Sequence, residues 1–293
     1  MLARRARGFT LVELIVVIVI TGILAGTLIM YFKPALQSYL DVGRRAGMTD
    51  MADGAVRIMS RDIRSAVSNS VRLISGTCVE MVPASDGGRF RAAPDTVWDA
   101  ANPGNPSMPI DGSSAVTAFD VLTPFAATPT PAALASDFVV IDNQNTDDVY
   151  TGANRAAIAS VGNAPATSVG AARITLSSAK QFPIGYDGAR FVIVPNAQQA
   201  VSYVCSGVGI DADGTGTGIL YRASAYGFNS VASCPVVGSG TAIVATKIAS
   251  CGFTYSANQG ATQQSGYVEI SLKLADHGES ATLNFGAHVD NVP

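Results

Sequence analysis

Residues 7–32 read RGFTLVE followed by LIVVIVITGILAGTLIMYF, and this stretch decides how the rest of the chain is organised. The nineteen residues 14–32 carry no charge, a length sufficient to cross a bilayer as a helix. Arg4, Arg5 and Arg7 crowd ahead of it and place the N-terminus on the cytoplasmic side. A secretory signal peptide has a shorter apolar region followed by a small-residue cleavage site. Here Tyr31, Phe32, Lys33 and Pro34 follow, and the small residue, Gly8, comes before the apolar run instead. One carboxylate, Glu13, heads the run. An unpaired carboxylate at membrane depth costs about 2.5–3.5 kcal/mol on insertion scales, so its presence there marks a functional group.

Helical periodicity continues beyond the membrane-length segment. Val42, Ala46, Met48, Ala52, Ala55, Ile58, Met59, Ile63, Ala66 and Val67 recur at three- and four-residue steps, with most charges on the opposite side. Asp62, beside this stripe, reads as a solvated rim charge. The spacing predicts one helix from Phe9 to about Asn69, roughly 90 Å long at 1.5 Å per residue. Gly22 and Gly26 form a small-xxx-small pattern suited to close helix approach.

After Asn69 the pattern changes to short period-two runs separated by Gly, Pro, Ser and Asn. Strands are predicted at 71–74, 77–82, 89–92, 118–122, 138–141, 172–176, 191–194, 199–205, 218–223, 242–250, 252–256, 266–274 and 281–289. The fold class that follows is α+β: a long N-terminal helix packed on a mainly antiparallel β-rich head, residues 70–293, of one or two sheets. Residues 93–136 hold seven of the fourteen prolines and read as a long loop or small subdomain.

Charged residues are only 14% of the chain and mean hydropathy is +0.28, a bias that the membrane segment explains in part. Net charge is −3, so there is no basic field for nucleic acid. Cys78, Cys205, Cys234 and Cys251 form no C-x-x-C pair, and an even count behind an export segment favours two disulfides over a zinc site. Four cysteines allow three pairings. Cys205–Cys234 is the weakly favoured one, because those two flank a Gly-rich excursion.

Other constellations carry little chemistry. Asp211 and Asp213 lie in an oxygen-rich Gly loop that invites a calcium reading, but Arg222 occupies the position where an EF-hand needs glutamate. A Gly-rich turn fits better. The run Asp142–Asp148 likewise reads as a turn. No P-loop, dinucleotide fingerprint or G-x-S-x-G motif is present, and both histidines, His277 and His288, fall in the last seventeen residues. The residues imply no enzyme, no cofactor and no metal. Trp98, in the Pro-rich stretch, reads as local loop packing.

The block RGFTLVELI (residues 7–15) resembles the N-terminal signature of type IV pilins and type II secretion pseudopilins. The resemblance implies a leader, residues 1–8, removed after Gly8 by a prepilin peptidase. It also implies N-methylation of the new first residue, Phe9, and a subunit-assembly role for Glu13 opposite a neighbour's N-terminal amine. Residues 9–34 then form the transmembrane and assembly half of the helix, and residues 35–69 its amphipathic half. Members of this family often carry a proline within the apolar stretch. This chain has Met30 there and Pro34 just beyond. The blocks YLDVGRRAGMTDMADGAVRIMSRDIRSAVSNSVRL (39–73) and YVCSGVGIDADGTGTGILYR (203–222) resemble the MshO-like minor pilins of the mannose-sensitive haemagglutinin (MSHA) pilus. The J-type minor pseudopilin of type II secretion and a tip adhesin mounted on a pilin helix are the alternatives. The implied partners are other pilin subunits, the inner membrane with its assembly platform, and the prepilin peptidase, with the head in the periplasm before assembly.

Overall fold

A computed structural model describes residues 9–125, 135–183, 188–259 and 265–290. Helix α1 (Leu11–Arg64) is followed by strands β1 (Arg72–Ser75), β2 (Cys78–Met81) and β3 (Asp86–Arg89), then helix α2 (Thr96–Ala101). Next come β4 (Val116–Val121), β5 (Phe138–Ile141), helix α3 (Asp148–Thr151), β6 (Arg155–Gly162), β7 (Ala172–Lys180) and β8 (Arg190–Val194). The chain ends with β9 (Val201–Ser206), β10 (Gly218–Ala223), β11 (Ala242–Gln259), β12 (Ser265–Asp276) and β13 (Glu279–Asp290). The architecture is the α+β arrangement of a type IV pilin-like chain: a long, N-terminally apolar helix packed on antiparallel sheets.

The first sheet has the order β1-β2-β9-β10-β11-β12-β13, with every pair antiparallel. Its five later strands form a meander, the low-contact-order way to extend a sheet. Met48, Ala52, Ala55, Val56, Met59 and Ile63 of α1 are buried on one face of this sheet, against Tyr203, Leu220, Phe253, Ile270, Leu272 and Val289 among others. These helix positions recur at 3.6-residue spacing, as predicted. Val42 and Ile58 do not join them and are 61% and 45% exposed, and Ala46 is exposed too. Val42 and Ala46 precede the point where the head begins, and Ile58 lies about 100° around the helix from Met59.

The helix ends at Arg64, short of the expected Asn69. Its end is set by strand-like pairing rather than by propensity: Val67 N donates to Val82 O at 2.8 Å and Ala84 N to Ser65 O at 2.8 Å. The chain leaves the helix by joining the continuation of β2.

Residues between β2 and β9 form a second unit, a six-stranded sheet of order β3-β8-β5-β6-β7-β4. Its two edges meet. Leu122 N donates to Arg89 O and Arg91 N to Asp120 O, each at 2.8 Å, around a Phe90–Val121 bridge. The sheet therefore closes on itself as a small barrel, which removes its edges. Phe90, Phe119, Phe191, Ile141, Ile158 and Ile174 fill the interior, with edge-to-face ring pairs such as Phe119–Phe191 at 5.7 Å. At the closure a side chain on Gly88 would collide with the Thr123 hydroxyl and the Phe191 ring.

Three strand expectations are corrected. Residues 89–92 supply the end of β3 and a single bridge, because the chain has to turn there to close the barrel. Runs 242–250 and 252–256 are one strand, β11, which passes a register shift between Ile248 and Ser250 without ending. Strand β6 was not expected; its sequence RAAIASVG is too rich in small residues to show alternation. Within 93–136, the described residues include α2 and β4 and are pinned to the barrel. Asp120 accepts from Met108 N at 2.7 Å, while Arg173 bridges Asp120 and Pro106 O.

A third cluster joins the two units, made of Val67, Val82, Val140, Val149, Tyr150, Val194, Ala200 and Phe228. Side-chain-to-backbone hydrogen bonds cross the same junction in both directions: Asn69 Nδ2 donates to Asn143 O at 2.8 Å and Asn143 Nδ2 to Ser68 O at 2.6 Å. The barrel thus sits at the C-terminal end of α1, farthest from Phe9.

Candidate functional site

The N-terminal half of α1 stands free of the head. Residues 9–40 are exposed throughout, and the first fully buried helix residue is Met48. From Leu11 to Arg44 this is about 50 Å of unaccompanied helix. Its best window has a mean hydropathy of 2.6, and by length and composition it can cross a membrane. Each large apolar side chain there gains about 1.5–3 kcal/mol on leaving water, so an apolar surrounding is required. The two threonine hydroxyls within the apolar run are satisfied by the helix itself: Thr21 donates to Val17 O at 2.7 Å and Thr27 to Leu24 O at 2.9 Å. The helix runs unbroken through Pro34, although Pro34 supplies no N–H to the turn before it.

Glu13 is the third residue of α1, and the helix start is built around it. Thr10 is the N-cap, and its hydroxyl oxygen accepts from Glu13 N at 3.3 Å. In return Glu13 Oε2 accepts from Thr10 N and from the Thr10 hydroxyl, both at 3.0 Å. This reciprocal capping box holds the carboxylate at the N-terminal end of the helix, where the macrodipole favours negative charge. Among the described residues Oε1 has no partner. Phe9, four residues away, is 84% exposed at the tip. Gly8 and the rest of the leader lie outside the described residues. The arrangement is an oriented carboxylate with one open oxygen, on an apolar helix, beside the chain's first described residue.

The head holds two buried ionic clusters. Asp62, expected to be a rim charge, accepts from the Tyr203 hydroxyl at 2.6 Å and from Arg222 Nε at 2.7 Å. It therefore ties the C-terminal turn of α1 to β9 and β10. Burial, and after it the Asp62 carboxylate, pushes the Tyr203 hydroxyl far above its usual range and keeps it a donor. In the second cluster Arg72 Nε donates to Glu80 Oε2 at 2.6 Å and Nη1 to Asp147 at 3.1 Å, and the guanidinium lies 3.6 Å over the Tyr150 ring. Glu80 Oε1 accepts from Tyr226 and Asn229, both at 2.7 Å. A charged residue inside the otherwise apolar strand CVEM was the available signal for this cluster.

All four cysteines are paired, as Cys78–Cys234 and Cys205–Cys251. The expected Cys205–Cys234 bridge is not formed. Cys205 on β9 and Cys251 on β11 meet in the helix-side core, with β10 between their strands, while Cys234 belongs to the segment bridged to Cys78 on β2.

Asp211 and Asp213 lie in a tight turn. Asp211 Oδ1 accepts from Asp213 N at 3.0 Å and Thr215 N at 2.8 Å, and Gly214, at φ +77°, packs against Gly278. Asp142 and Asp148 make similar local turn bonds beside a polar cleft of about 800 Å³. Among the described residues no group of three or more His, Cys, Asp or Glu converges as a metal site. Trp98 donates from Nε1 to Asn105 O at 2.9 Å, a local contact. His277 meets Asp276 at 3.0 Å, and His288 packs on Tyr267.

Comparison with known proteins adds one finding. The family model of the prokaryotic N-terminal methylation motif matches residues 3–29, which include Gly8, Phe9, Glu13 and most of the apolar run. No curated protein and no solved structure matches. The motif supports a type IV pilin-like protein processed by prepilin peptidase. With the free apolar helix it supports anchoring to the membrane through the N-terminus.

Proposed function

We propose that this chain is a minor pilin of a type IV pilus of the MSHA type, placed at or near the filament tip. The observation that carries the reading is the free apolar half of α1 with Glu13 fixed at its N-terminal end. Prepilin peptidase cuts between Gly8 and Phe9, and Phe9 is then N-methylated and keeps its positive charge. In lipid or in a bundle of like helices, Glu13 is costly until a cation arrives. Its open Oε1 receives the N-terminal ammonium of a neighbouring subunit while Oε2 continues to cap its own helix. Gly22 and Gly26, both without neighbours in the monomer, allow close approach of the partner helix.

The barrel supports the terminal position. In a filament whose subunits share parallel α1 helices, the next subunit stacks beyond the C-terminal end of α1. Here that space is taken by the barrel. A subunit of this shape caps a stack more readily than it repeats within one. The head then faces the periplasm before assembly, and the N-terminus faces the cytoplasm.

Co-expression with a prepilin peptidase tests the processing step. Intact-mass spectrometry is expected to show loss of residues 1–8 and one added methyl group on Phe9; an intact N-terminus sinks the reading. Immunogold labelling of sheared filaments tests the position. Label confined to filament ends is expected, and regular label along the shaft overturns the tip assignment.

A further inference from the structure

Strand β13 is a long, open edge. Its twelve residues pair with β12 in uninterrupted register on one side. Among the described residues no backbone hydrogen bond leaves its other side. Sheets usually protect such edges with Pro, Lys, a bulge or a very short strand, as at the opposite edge, where β1 has four residues. The sequence of β13, ESATLNFGAHVD, has none of these devices and carries its carboxylates only at the two ends.

The helix beside this edge leaves it partly uncovered. A groove of about 640 Å³ runs between the two, with Val56, Leu283 and Phe285 among its lining and Arg57, Arg61 and Arg64 along its helical wall. Leu283 and Phe285 point to the helix side of the sheet yet remain half-buried. Arg57 is paired with Asp53 at 2.7 Å. Arg61 and Arg64 have no ion pair among the described residues, so the groove combines an apolar floor with two uncommitted cations.

We propose that β13 and this groove receive an extended acidic segment of a partner protein, which adds an antiparallel or parallel strand to the sheet. Main-chain bonds along β13 supply the ladder, and alternate side chains of the incoming strand face the groove. Apolar ones cover Leu283 and Phe285. Carboxylates two residues apart, about 7 Å, meet Arg61 and Arg64, which lie about 4.5 Å apart along the helix axis. The site is independent of the free half of α1, so it stands whether or not that half assembles as proposed.

The test uses the full chain in detergent micelles. The probe is a fluorescein-labelled eight-residue peptide in which Thr alternates with Ile, Asp, Asp and Ile; a control peptide has its two central residues replaced by Pro. Binding by anisotropy is expected for the first peptide and not for the control. Amide exchange is expected to slow at residues 279–290. Arg61→Glu/Arg64→Glu is expected to weaken binding at least about tenfold with only a small fall in the unfolding midpoint, because neither side chain is paired in the free protein and the reversal opposes only the helix macrodipole. Equal binding of the Pro peptide, unchanged exchange in β13, or insensitivity to the charge reversal overturns the proposal. Protection of β13 that rises with protein concentration in the absence of peptide assigns the edge to a second copy and overturns the acidic-segment occupant.

Discussion

Glu13→Gln separates the capping role that the structure shows for this residue from the charge-pairing role proposed for it. A glutamine at the same position keeps an oxygen to accept from Thr10 N and the Thr10 hydroxyl, so the capping box survives. Only the charge is lost. A carboxylate at the bilayer centre costs about 2.5–3.5 kcal/mol, and Glu13, near the helix start, falls below that central value. If pairing with a neighbour's ammonium relieves about 1.4–2.8 kcal/mol, removing the charge lowers incorporation tenfold to a hundredfold. Glu13→Ala loses the same pairing plus the reach-back bond, a further 0.3–1.5 kcal/mol or so. The assay is a competition: differently tagged wild-type and variant chains are co-expressed. Their ratio in sheared filaments is divided by their ratio in the membrane, and intact mass confirms that both are cleaved. Both variants are expected to fall at least tenfold behind, within a few-fold of each other. Glu13→Gln incorporating like wild type while Glu13→Ala fails would refute the charge-pairing argument and leave Glu13 as a cap.

Four further outcomes concern the head, each read by thermal or denaturant unfolding of the full chain. Arg72→Met strands the buried Glu80 carboxylate and is expected to cost about 3–5 kcal/mol, whereas Arg57→Met breaks only an exposed pair and stays within about 0.5 kcal/mol. Cys78→Ser/Cys234→Ser opens a link across 156 residues and Cys205→Ser/Cys251→Ser one across 46, so chain entropy predicts that the first pair costs about 1 kcal/mol more. Gly286→Ala places a methyl 1.8 Å from the Tyr267 hydroxyl oxygen and is expected to destabilise by about 1–3 kcal/mol, with recovery in Gly286→Ala/Tyr267→Ala. The Asp276 carboxyl is held below its usual range by hydrogen bonds from Lys247 and then His277. Its contribution is therefore present above the unfolded value near pH 4 and is lost as pH falls through the lower folded value, an acid dependence that Asp276→Asn should flatten.

What could be read from the sequence follows from how local each cause is. The free half of α1 is legible because nothing tertiary shapes it: an apolar run, a capping residue and one carboxylate suffice. Met48, Ala52, Ala55, Met59 and Ile63 are legible because a helix imposes its own period. Asp62 was misread because Tyr203 and Arg222 lie 141 and 160 residues away in sequence. The cysteine pairing failed for the same reason. Closeness in sequence around a Gly-rich turn favoured Cys205–Cys234, but Cys251 lies on β11, two strands from β9 in the meander, and meets Cys205 in the helix-side core. The barrel has no local signal at all. Its closure depends on two backbone bonds between residues 89–91 and 120–122, whose sequences do not differ from those of ordinary strand ends.

The Arg72–Glu80 cluster then has a meaning that a stability argument alone misses. A buried ion pair is a poor source of stability, since apolar side chains of equal volume often do as well. It is directional, however. Arg72 reaches Glu80 within the first sheet, Asp147 at the start of α3, and the Tyr150 face at the junction, all at once. Apolar packing among Val67, Val82, Val149 and Val194 tolerates rotation of one unit over the other; these fixed contacts do not. Asp62, bonded to β9 and β10, fixes the end of α1 to the same sheet. The orientation of the barrel is thereby tied to the direction of the assembly helix, so a load or contact on the barrel is passed to α1 as to one rigid body. If the chain assembles as proposed, a loosened junction, as in Arg72→Met, should accordingly impair what the barrel does in a filament before it impairs entry into the filament, for which the proposal relies on Phe9, Glu13 and the free helix.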